Sequence, residues 1–361
     1  KRTMNSLKIP FTGLKKQYNT LRTEILDVTD EVLRSSQLMD GNYTAEFENW
    51  LAKKNHSKYA ITCHSGTQAL EIIAEYFRLN SSVNPPRAVI PSMTYVATGN
   101  AFIRAGWEVY IADTDAYGLI NTQKLPQDLS VQAYVLVGLY GAPVNDNKFW
   151  ATDLIIEDGA QHWLSNNCNR VGNATAISFD PMKNLNAYGN GGAVVTDDLD
   201  LLEYARGWRN NGKPRYNDTG TNSRISEIDA AQLLVKTKYL DSWQQRRGTI
   251  ARYWMGRLKN TPIRCLIDKT NIDTHAFHKF VIDVDSRDTL QKNLELKGIE
   301  TRVHYREPLH ELSVYSDYRG PDILSVASSL SRRVLSLPLY PELTDLEVEY
   351  IIDQVLDSAL S

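Results

Sequence analysis

The stretch Ser178-Phe-Asp-Pro-Met-Lys-Asn-Leu-Asn-Ala-Tyr-Gly-Asn-Gly-Gly192 joins two short apolar runs, at residues 176–179 and 193–196. Lys183 comes a few residues after the first run, and a glycine-rich turn leads into the second. Short, continuous apolar runs are typical of strands that are covered on both faces of a sheet. Because ligands of α/β sheets bind at the carboxyl ends of the strands, Lys183 is predicted to lie where a ligand can reach it.

Five further apolar runs precede this stretch and alternate with helical or loop segments. They are at residues 59–63, 88–91, 108–111, 134–137 and 154–156. Two of the intervening segments have apolar residues at helical spacing, one at 40–54 and one that begins after Thr67. Strands that alternate with helices favour an α/β domain with a mostly parallel sheet.

The pattern changes after about residue 225. We predict a long helical region, a strand and two more helices there, at residues 226–259, 280–284, 286–297 and 343–358. Gly298 is expected to end the helix before it as a C-terminal cap. The sequence therefore predicts a large α/β domain at residues 1–245 and a smaller C-terminal α+β domain at 246–361.

The composition is that of an ordinary soluble globular protein. The 361 residues are 42 % hydrophobic and 23 % charged, and a formal net charge of −3 gives no electrostatic reason to expect nucleic-acid binding. No run approaches the roughly 18 consecutive apolar residues of a membrane-spanning helix. The first eleven residues contain no apolar core of a secretory signal. We therefore expect a cytoplasmic protein that does not contact a membrane.

The cysteines, Cys63, Cys168 and Cys265, are few and odd in number. They form no Cys-x-x-Cys pair, and none lies near a histidine at metal-ligand spacing. The sequence therefore predicts no metal site, and sparse cysteines are typical of a reducing compartment.

The chemistry open to Lys183 depends on its surroundings. A lysine that forms a Schiff base must be held rigidly and be partly desolvated, so that its amine can lose a proton. An arbitrary lysine is far more often a solvated surface residue. Three motifs elsewhere in the chain favour the Schiff-base interpretation.

Each of these motifs follows a predicted strand. Asp158 ends Ile155-Ile-Glu-Asp158, where a carboxylate can pair with a protonated pyridine nitrogen, although such residues also cap helices. Ser65-Gly-Thr67 precedes a helix, where free amides and a hydroxyl can bind phosphate or form a plain cap. Tyr95 can stack on a cofactor ring or pack in the core.

In order and spacing these motifs match one family. From Ile9 to the C-terminal helix the chain resembles the nucleotide-sugar aminotransferases of the DegT/StrS family, which have the aspartate-aminotransferase fold, fold type I of the transferases that depend on pyridoxal phosphate (PLP). The matching segments are 65–70, 91–98, 157–161, 178–185, 189–196, 220–224, 303–305 and 335–339. The resemblance implies an α/β large domain with a mostly parallel central sheet, a smaller α+β domain and pyridoxal 5'-phosphate as cofactor.

The resemblance also implies a role for individual residues. Lys183 would carry PLP and move a proton between cofactor and substrate carbons. Asp158 would pair with the pyridine nitrogen, and Gln161 would contact the ring hydroxyl. The ring face and the phosphate would be bound by Tyr95 and by Gly66, Thr67 and Ser178. Asn222 would reach the phosphate of the neighbouring subunit, so the active unit is expected to be a homodimer with shared sites.

The expected substrates are a nucleotide-linked keto-sugar and an amino acid donor, with glutamate as the expected donor. Residues 220–224 and 240–247 look most like those of enzymes that act on 3-keto-6-deoxyhexoses linked to dTDP. Substrate contacts are expected from Tyr188, Lys213, Tyr216, His304 and Tyr305.

Two positions depart from the family pattern. The family usually has a histidine before Leu-Tyr-Gly, where this chain has Gly138. The 3-keto enzymes often have a tyrosine after Ser-Phe, where this chain has Asp180, whose charge would be unfavourable near a diphosphate. The sugar, the nucleotide and the aminated carbon therefore stay open, and a 4-keto sugar nucleotide is the main alternative substrate.

Three other classes of protein fit the sequence less well. Sugar dehydratases of the same fold have a histidine in place of the lysine, so Lys183 argues against that reaction. A nucleotide-sugar oxidoreductase would need a Gly-x-Gly-x-x-Gly turn and a Tyr-x-x-x-Lys pair, and the sequence has neither. A non-catalytic regulatory relative would be expected to lose Lys183, Asp158 or Asn222, and all three are present.

Overall fold

The computed structural model describes residues 8–125, 130–144, 154–165, 171–216, 219–317, 320 and 323–360. Among these residues, no helix is both long enough and apolar enough to cross a membrane.

Seven short strands form the central sheet. They are β1 (Tyr59–Cys63), β2 (Arg87–Pro91), β3 (Glu108–Ala112), β4 (Ala133–Val137), β5 (Leu154–Asp158), β6 (Ala174–Ser178) and β7 (Gly192–Thr196). Their order across the sheet is β1-β7-β6-β5-β4-β2-β3, and β7 runs in the direction opposite to the other six described strands. The predicted mostly parallel sheet is confirmed, and all the predicted strands are present.

Seven helices accompany this sheet in the described part of the chain. They are α1 (Leu14–Ser35), α2 (Asn42–Lys54), α3 (Gly66–Leu79), α4 (Val96–Arg104), α5 (Leu199–Trp208), α6 (Glu227–Thr237) and α7 (Leu240–Leu258). The long helical region predicted at 226–259 is therefore two helices, interrupted at Lys238 and Tyr239. The chain has neither glycine nor proline at this break, so no local signal marks it.

A second sheet of three antiparallel strands lies in the C-terminal part of the chain. Its strands are β8 (Arg264–Cys265), β9 (Phe280–Asp283) and β10 (Val334–Leu337), and its helices are α8 (Arg287–Leu296), α9 (Ser325–Arg333) and α10 (Asp345–Leu360). Gly298 has φ +77° after α8, and the Ile299 amide donates to the Leu294 carbonyl at 2.9 Å. The predicted glycine cap is confirmed, because few other residues adopt this backbone conformation.

Several hydrophobic clusters form the core in the described part of the chain, and the two sheets have different ones. Leu240, at the start of α7, packs in a core of the central sheet, whereas Ile250 and Trp254 further along α7 pack against the second sheet. Ile9 also belongs to the core of the second sheet, where its amide donates to the Gly298 carbonyl at 2.8 Å. The N-terminal segment therefore crosses to the C-terminal part of the molecule, and a domain boundary at residue 245 stays a prediction.

Candidate active site

The carboxyl ends of the parallel strands bring the predicted cofactor residues to one edge of the central sheet. Asp158 ends β5 and pairs with Val137 of β4, and Ser178 ends β6 and pairs with Gly192 of β7. The loop after β6 carries Lys183, so the lysine and the aspartate come from neighbouring strands.

Asp158 is buried, with an exposed fraction of 5 %. Its carboxylate accepts hydrogen bonds from the Thr98 hydroxyl at 2.7 Å and from the Ala160 amide at 3.2 Å. Burial raises the pKa of Tyr305, and the charge of Asp158 raises it further. Burial lowers the pKa of Lys183, and the same charge opposes that fall. The charge of Asp158 therefore acts on both Lys183 and Tyr305, and the three side chains border the same pocket.

Lys183 lies in a tight turn that Asp180 organises. The Lys183 amide donates to the Asp180 carbonyl, and the Met182 amide donates to the Asp180 carboxylate, both at 2.9 Å. Burial lowers the pKa of the Lys183 amine, although the charges of Asp158 and Asp180 oppose this. A lowered pKa increases the share of neutral amine, which is the form that reacts with a carbonyl.

The start of α3 lies against the end of β6 and the beginning of β7. The residues that meet there include Ser65, Gly66 and Gly192. Ser65 caps α3, since its hydroxyl accepts a hydrogen bond from the Gln68 amide at 3.2 Å. A Cβ atom at Gly66 would lie 2.6 Å from Cβ of Ser178, and one at Gly192 would overlap the Ser65 carbonyl carbon. Only glycine permits this approach, and the first-turn amides of α3 have no acceptor within the helix.

The phosphate cradle, which we define as Gly66, Thr67 and Ser178, combines these helix amides with two hydroxyl groups. The partial positive charge at a helix start and its free amides favour an anion. The cradle and the buried Asp158 together have the donors and the carboxylate that suit a phosphorylated pyridine. Among the described residues, no group of three histidines, cysteines or acidic residues can hold a metal ion.

A segment next to the second sheet contributes the opposite wall of the pocket, with His304 and Tyr305. Gln161 donates to the Tyr305 hydroxyl at 3.3 Å, and the Tyr305 ring lies 6.0 Å from that of Tyr95. His304 shares a hydrogen bond of 2.8 Å between Nδ1 and the Ser336 hydroxyl. Burial and nearby cations lower the pKa of His304 to about 2, so its ring is neutral.

Tyr140 links the two walls, and it was not among the residues predicted for the site. Its amide donates to Gln161 Oε1 at 2.8 Å, and its hydroxyl donates to the His304 carbonyl. Tyr140 reaches both because its backbone has φ +63°, an uncommon conformation for a bulky residue. The Leu-Tyr-Gly motif after β4 was the available signal for this residue.

The departure at Gly138 has a structural explanation. A Cβ atom there would overlap the Ala142 carbonyl oxygen and the ring of His162. His162 Nδ1 accepts from the Gly138 amide at 3.0 Å, which leaves Nε2 to donate to the Glu157 carboxylate at 3.1 Å. The imidazole of His162 therefore occupies the space that a side chain at position 138 would need.

Four of the residues expected to contact the cofactor or the substrate do not lie in this pocket within one chain. Asn222, Lys213 and Tyr216 are exposed, and Tyr216 has an exposed fraction of 67 %. Tyr188 is partly exposed, and its ring lies 3.7 Å from the ammonium of Lys236. Their predicted roles at a cofactor or substrate stay predictions.

The two cysteines that the structure describes are not among the residues placed in the pocket. Cys63 and Cys265 are free thiols, and burial raises the pKa of each to about 12. Cys168 lies outside the described residues.

Comparison with known proteins identifies the family. A model of the DegT/DnrJ/EryC1/StrS aminotransferase family matches residues 19–356. The crystal structure of DesV from S. venezuelae matches with a TM-score of 0.91 and 30 % identity, over 99 % of this chain and 100 % of that chain. The dTDP-3-amino-3,4,6-trideoxy-alpha-D-glucose transaminase of Streptomyces venezuelae is 31 % identical, over 98 % of this chain and 96 % of its own length. A pleiotropic regulatory protein of Geobacillus stearothermophilus is 32 % identical, over 97 % and 98 %.

The fold and the pocket define an aminotransferase of fold type I that uses pyridoxal phosphate. More narrowly, the chain belongs to the DegT/DnrJ/EryC1/StrS family of sugar-nucleotide aminotransferases. The predictions of family, fold type and cofactor are confirmed.

Proposed function

We propose that this enzyme transfers an amino group from L-glutamate to a nucleotide-linked keto-sugar, specifically a dTDP-3-keto-6-deoxyhexose. The observation that carries the proposal concerns Lys183. This lysine is half-buried, its pKa is lowered, and the charge of Asp158 acts on it. The name of the Streptomyces transaminase, a relative similar over nearly its whole length, supports the class of sugar and the nucleotide.

The cofactor is assigned to the residues at the carboxyl edge of the sheet. The phosphate cradle would hold the phosphate, Asp158 the pyridine nitrogen and Gln161 the ring hydroxyl, while Tyr95 would cover one face of the ring. When bound, PLP supplies an electron sink that stabilises a carbanion. Two hydrogen bonds already fix the Asp158 carboxylate, so it does not have to reorient when its partner binds.

Lys183 is assigned the proton transfers. Its Nζ takes the proton from Cα of the amino donor and later delivers a proton to the keto carbon of the sugar. Both steps need an amine that is neutral part of the time, and burial provides this by lowering the pKa of Lys183. The turn at Asp180 and Met182 restricts the backbone, so the side chain of Lys183 starts from a defined position at the edge of the sheet.

His304 and Tyr305 are assigned to the sugar. A neutral imidazole and a protonated phenol can donate and accept hydrogen bonds, which suits the hydroxyl and keto groups of a hexose. The burial that lowers the pKa of His304 to about 2 and raises that of Tyr305 keeps both groups uncharged across the working pH range.

Asp180 is compatible with a substrate that carries a diphosphate. Its carboxylate accepts the Met182 amide, and its charge acts on Lys183 and Lys279 by opposing the fall that burial causes in their pKa values. Because these two amines face the carboxylate, its negative charge is offset locally.

The active unit is proposed to be a homodimer. Asn222, Lys213 and Tyr216 are exposed in a single chain, which supports a role for them in the site of a neighbouring subunit. In that arrangement Asn222 would contact the cofactor phosphate, and Lys213 and Tyr216 would contact the nucleotide sugar. Tyr188, close in sequence to Lys183, would contact the same substrate.

The first test is the visible absorption band of lysine-bound PLP. The purified protein should show this band, and Lys183→Ala should abolish it together with amino transfer from glutamate. Lys292→Ala changes an exposed lysine of α8 and should leave both unchanged. A Lys183→Ala protein with an unaltered band would refute the assignment.

The second test identifies the sugar. Keto-sugar nucleotides are incubated with the enzyme and glutamate, and the products are identified by mass. We expect amination of dTDP-linked 3-keto-6-deoxyhexoses. Turnover of 4-keto substrates alone would reject the 3-keto assignment in favour of the alternative, and a protein that binds PLP but aminates none would point to the regulatory role that one relative's name suggests.

A further inference from the structure

A small cavity of about 30 Å³ lies beside Lys183, between the central sheet and the C-terminal part of the molecule. We call it the Lys279 cavity. The residues that line it and matter here are Gln17, Lys183, Arg247, Lys279, Tyr340 and Glu342. These residues come from the N-terminal helix, the Lys183 loop, α7 and the segments next to β9 and β10, so the cavity forms only when these parts come together.

Lys279 is buried without a polar partner for its side chain. Its exposed fraction is 6 %, and within the described part of the chain its ammonium has no hydrogen bond and no ion pair. The ammonium lies 5.3 Å from the centre of the Phe11 ring. Burial lowers the pKa of Lys279, and the charges of Lys183 and Arg247 lower it further, while the charge of Asp180 opposes this fall. The buried amine therefore has a charge nearby but no hydrogen-bond acceptor among the described residues.

Two other residues of the lining also have buried donors that lack acceptors. Nε of Arg247 and the Tyr340 hydroxyl are buried and have no hydrogen-bond partner among the described residues. Gln17 Oε1 is an acceptor without a donor at the same cavity. A buried polar group without a hydrogen-bond partner is unfavourable, so several of them around one cavity favour a polar occupant.

The charges around the cavity favour an anion. The lining has three basic residues, Lys183, Lys279 and Arg247, and Glu342 is its one acidic residue among those the structure describes. Burial raises the pKa of Glu342, which reduces its negative charge. A water molecule could satisfy hydrogen bonds here, but an anion would also stabilise the charged form of Lys279, which burial disfavours.

We propose that the Lys279 cavity binds a carboxylate of the amino donor, with Lys279 as the cation that pairs with it. This inference rests on the proposed function, in which Lys183 reacts at Cα of the donor. The α-carboxylate is bonded to that same carbon, so it lies within reach of a cavity beside Lys183. The diphosphate of a nucleotide sugar needs more room than about 30 Å³ and is separated from the keto carbon by the sugar ring.

The test is a calorimetric titration of the PLP-loaded protein with glutarate. Glutarate is a dicarboxylate without an amine, so it cannot react at Lys183. We expect Lys279→Gln and Lys279→Met to bind glutarate about 10- to 100-fold more weakly than the unaltered protein, as the loss of a charge-assisted hydrogen bond implies. Lys292→Gln, on the exposed face of α8, should bind glutarate normally, and all variants should bind dTDP normally.

Three results would overturn the inference. They are the absence of glutarate binding to the unaltered protein, equal binding by the Lys279 variants, and a loss of dTDP affinity in place of glutarate affinity. Both Lys279 substitutions remove a buried, unpaired amine, so we expect the variants to fold, and thermal melting checks this.

Amino transfer from glutamate, measured in parallel, separates this inference from the proposed function. If the Lys279 variants transfer the amino group and their half-saturating glutamate concentration is unchanged, the carboxylate site alone is refuted. Glutarate binding that depends on Lys279, without any amino transfer by the unaltered protein, would refute the proposed function alone.

Discussion

At the scale of single residues, His162 and Glu157 fix the end of β5, next to Asp158. Glu157 accepts hydrogen bonds from His162 and from the Val171 amide at 2.7 Å. Burial acts to raise the pKa of Glu157, but the His162 hydrogen bond and the backbone amides outweigh it, so the pKa is lowered overall. Folding therefore favours the ionised form of Glu157. The stability that this provides is present at pH values above the pKa of Glu157 in the unfolded chain. It is lost as the pH falls through the pKa of Glu157 in the folded protein.

His162→Ala should destabilise the protein by about 2–4 kcal/mol at neutral pH, because it leaves a buried carboxylate and the Gly138 amide without their partner. The loss should be smaller at about pH 4, where Glu157 of the variant can take up a proton. Urea unfolding at both pH values measures this. His64→Ala, which changes an exposed side chain, is the control. An equal loss at both pH values would contradict the assigned pairing.

At the scale of elements, the start of α3 is pressed against the end of β6, and Gly66 makes this contact possible. The distance of 2.6 Å that a Cβ atom there would have from Cβ of Ser178 is too short for any side chain, so α3 would have to move. Such a movement would shift the helix amides and the Ser178 hydroxyl relative to each other.

Gly66→Ala should weaken PLP binding by at least about tenfold, since the loss of one or two good phosphate hydrogen bonds costs that much. Gly189→Ala changes a glycine of the nearby glycine-rich turn whose added Cβ would meet nothing within 4 Å, and it should bind PLP normally. Equilibrium titration of PLP into each protein makes the comparison. Equal affinities would show that the cradle tolerates a displaced α3.

At the scale of the whole molecule, the proposed dimer predicts that two inactive variants restore each other. If Asn222 serves the site of the neighbouring subunit, a heterodimer of Lys183→Ala and Asn222→Ala chains contains one intact site. Subunits that are unfolded and refolded as an equal mixture should then regain about a quarter of the unaltered activity. Each variant refolded alone is the control, and a mixture that stays inactive would place Asn222 in its own chain's site.

The sequence was sufficient for those features that depend on local patterns. The buried strands were visible as apolar runs, and the Gly298 cap was visible as a glycine after a helical segment. The location of Lys183 and Asp158 at one edge of the sheet was predicted from strand-end positions and from the resemblance to a family. These features need no knowledge of which distant segments meet.

The features that were missed depend on contacts between distant segments. The break between α6 and α7 has no glycine or proline to mark it, and Tyr140 matters because its unusual backbone joins Gln161 to His304. The space left by Gly138 was filled by His162, 24 residues further along the chain. Lys279 was an ordinary lysine in the sequence, and only the fold buries it.

The pairing of Ile9 with the residues around Gly298 has a consequence for the order of events during synthesis. Ile9 gains these hydrogen bonds only from a turn that is synthesised long after it. A nascent chain can complete the central sheet before that turn leaves the ribosome, because domains fold as they emerge. Phe11 and Gln17 line the Lys279 cavity and cannot take their final positions before that turn has been made. The Lys279 cavity is therefore completed last.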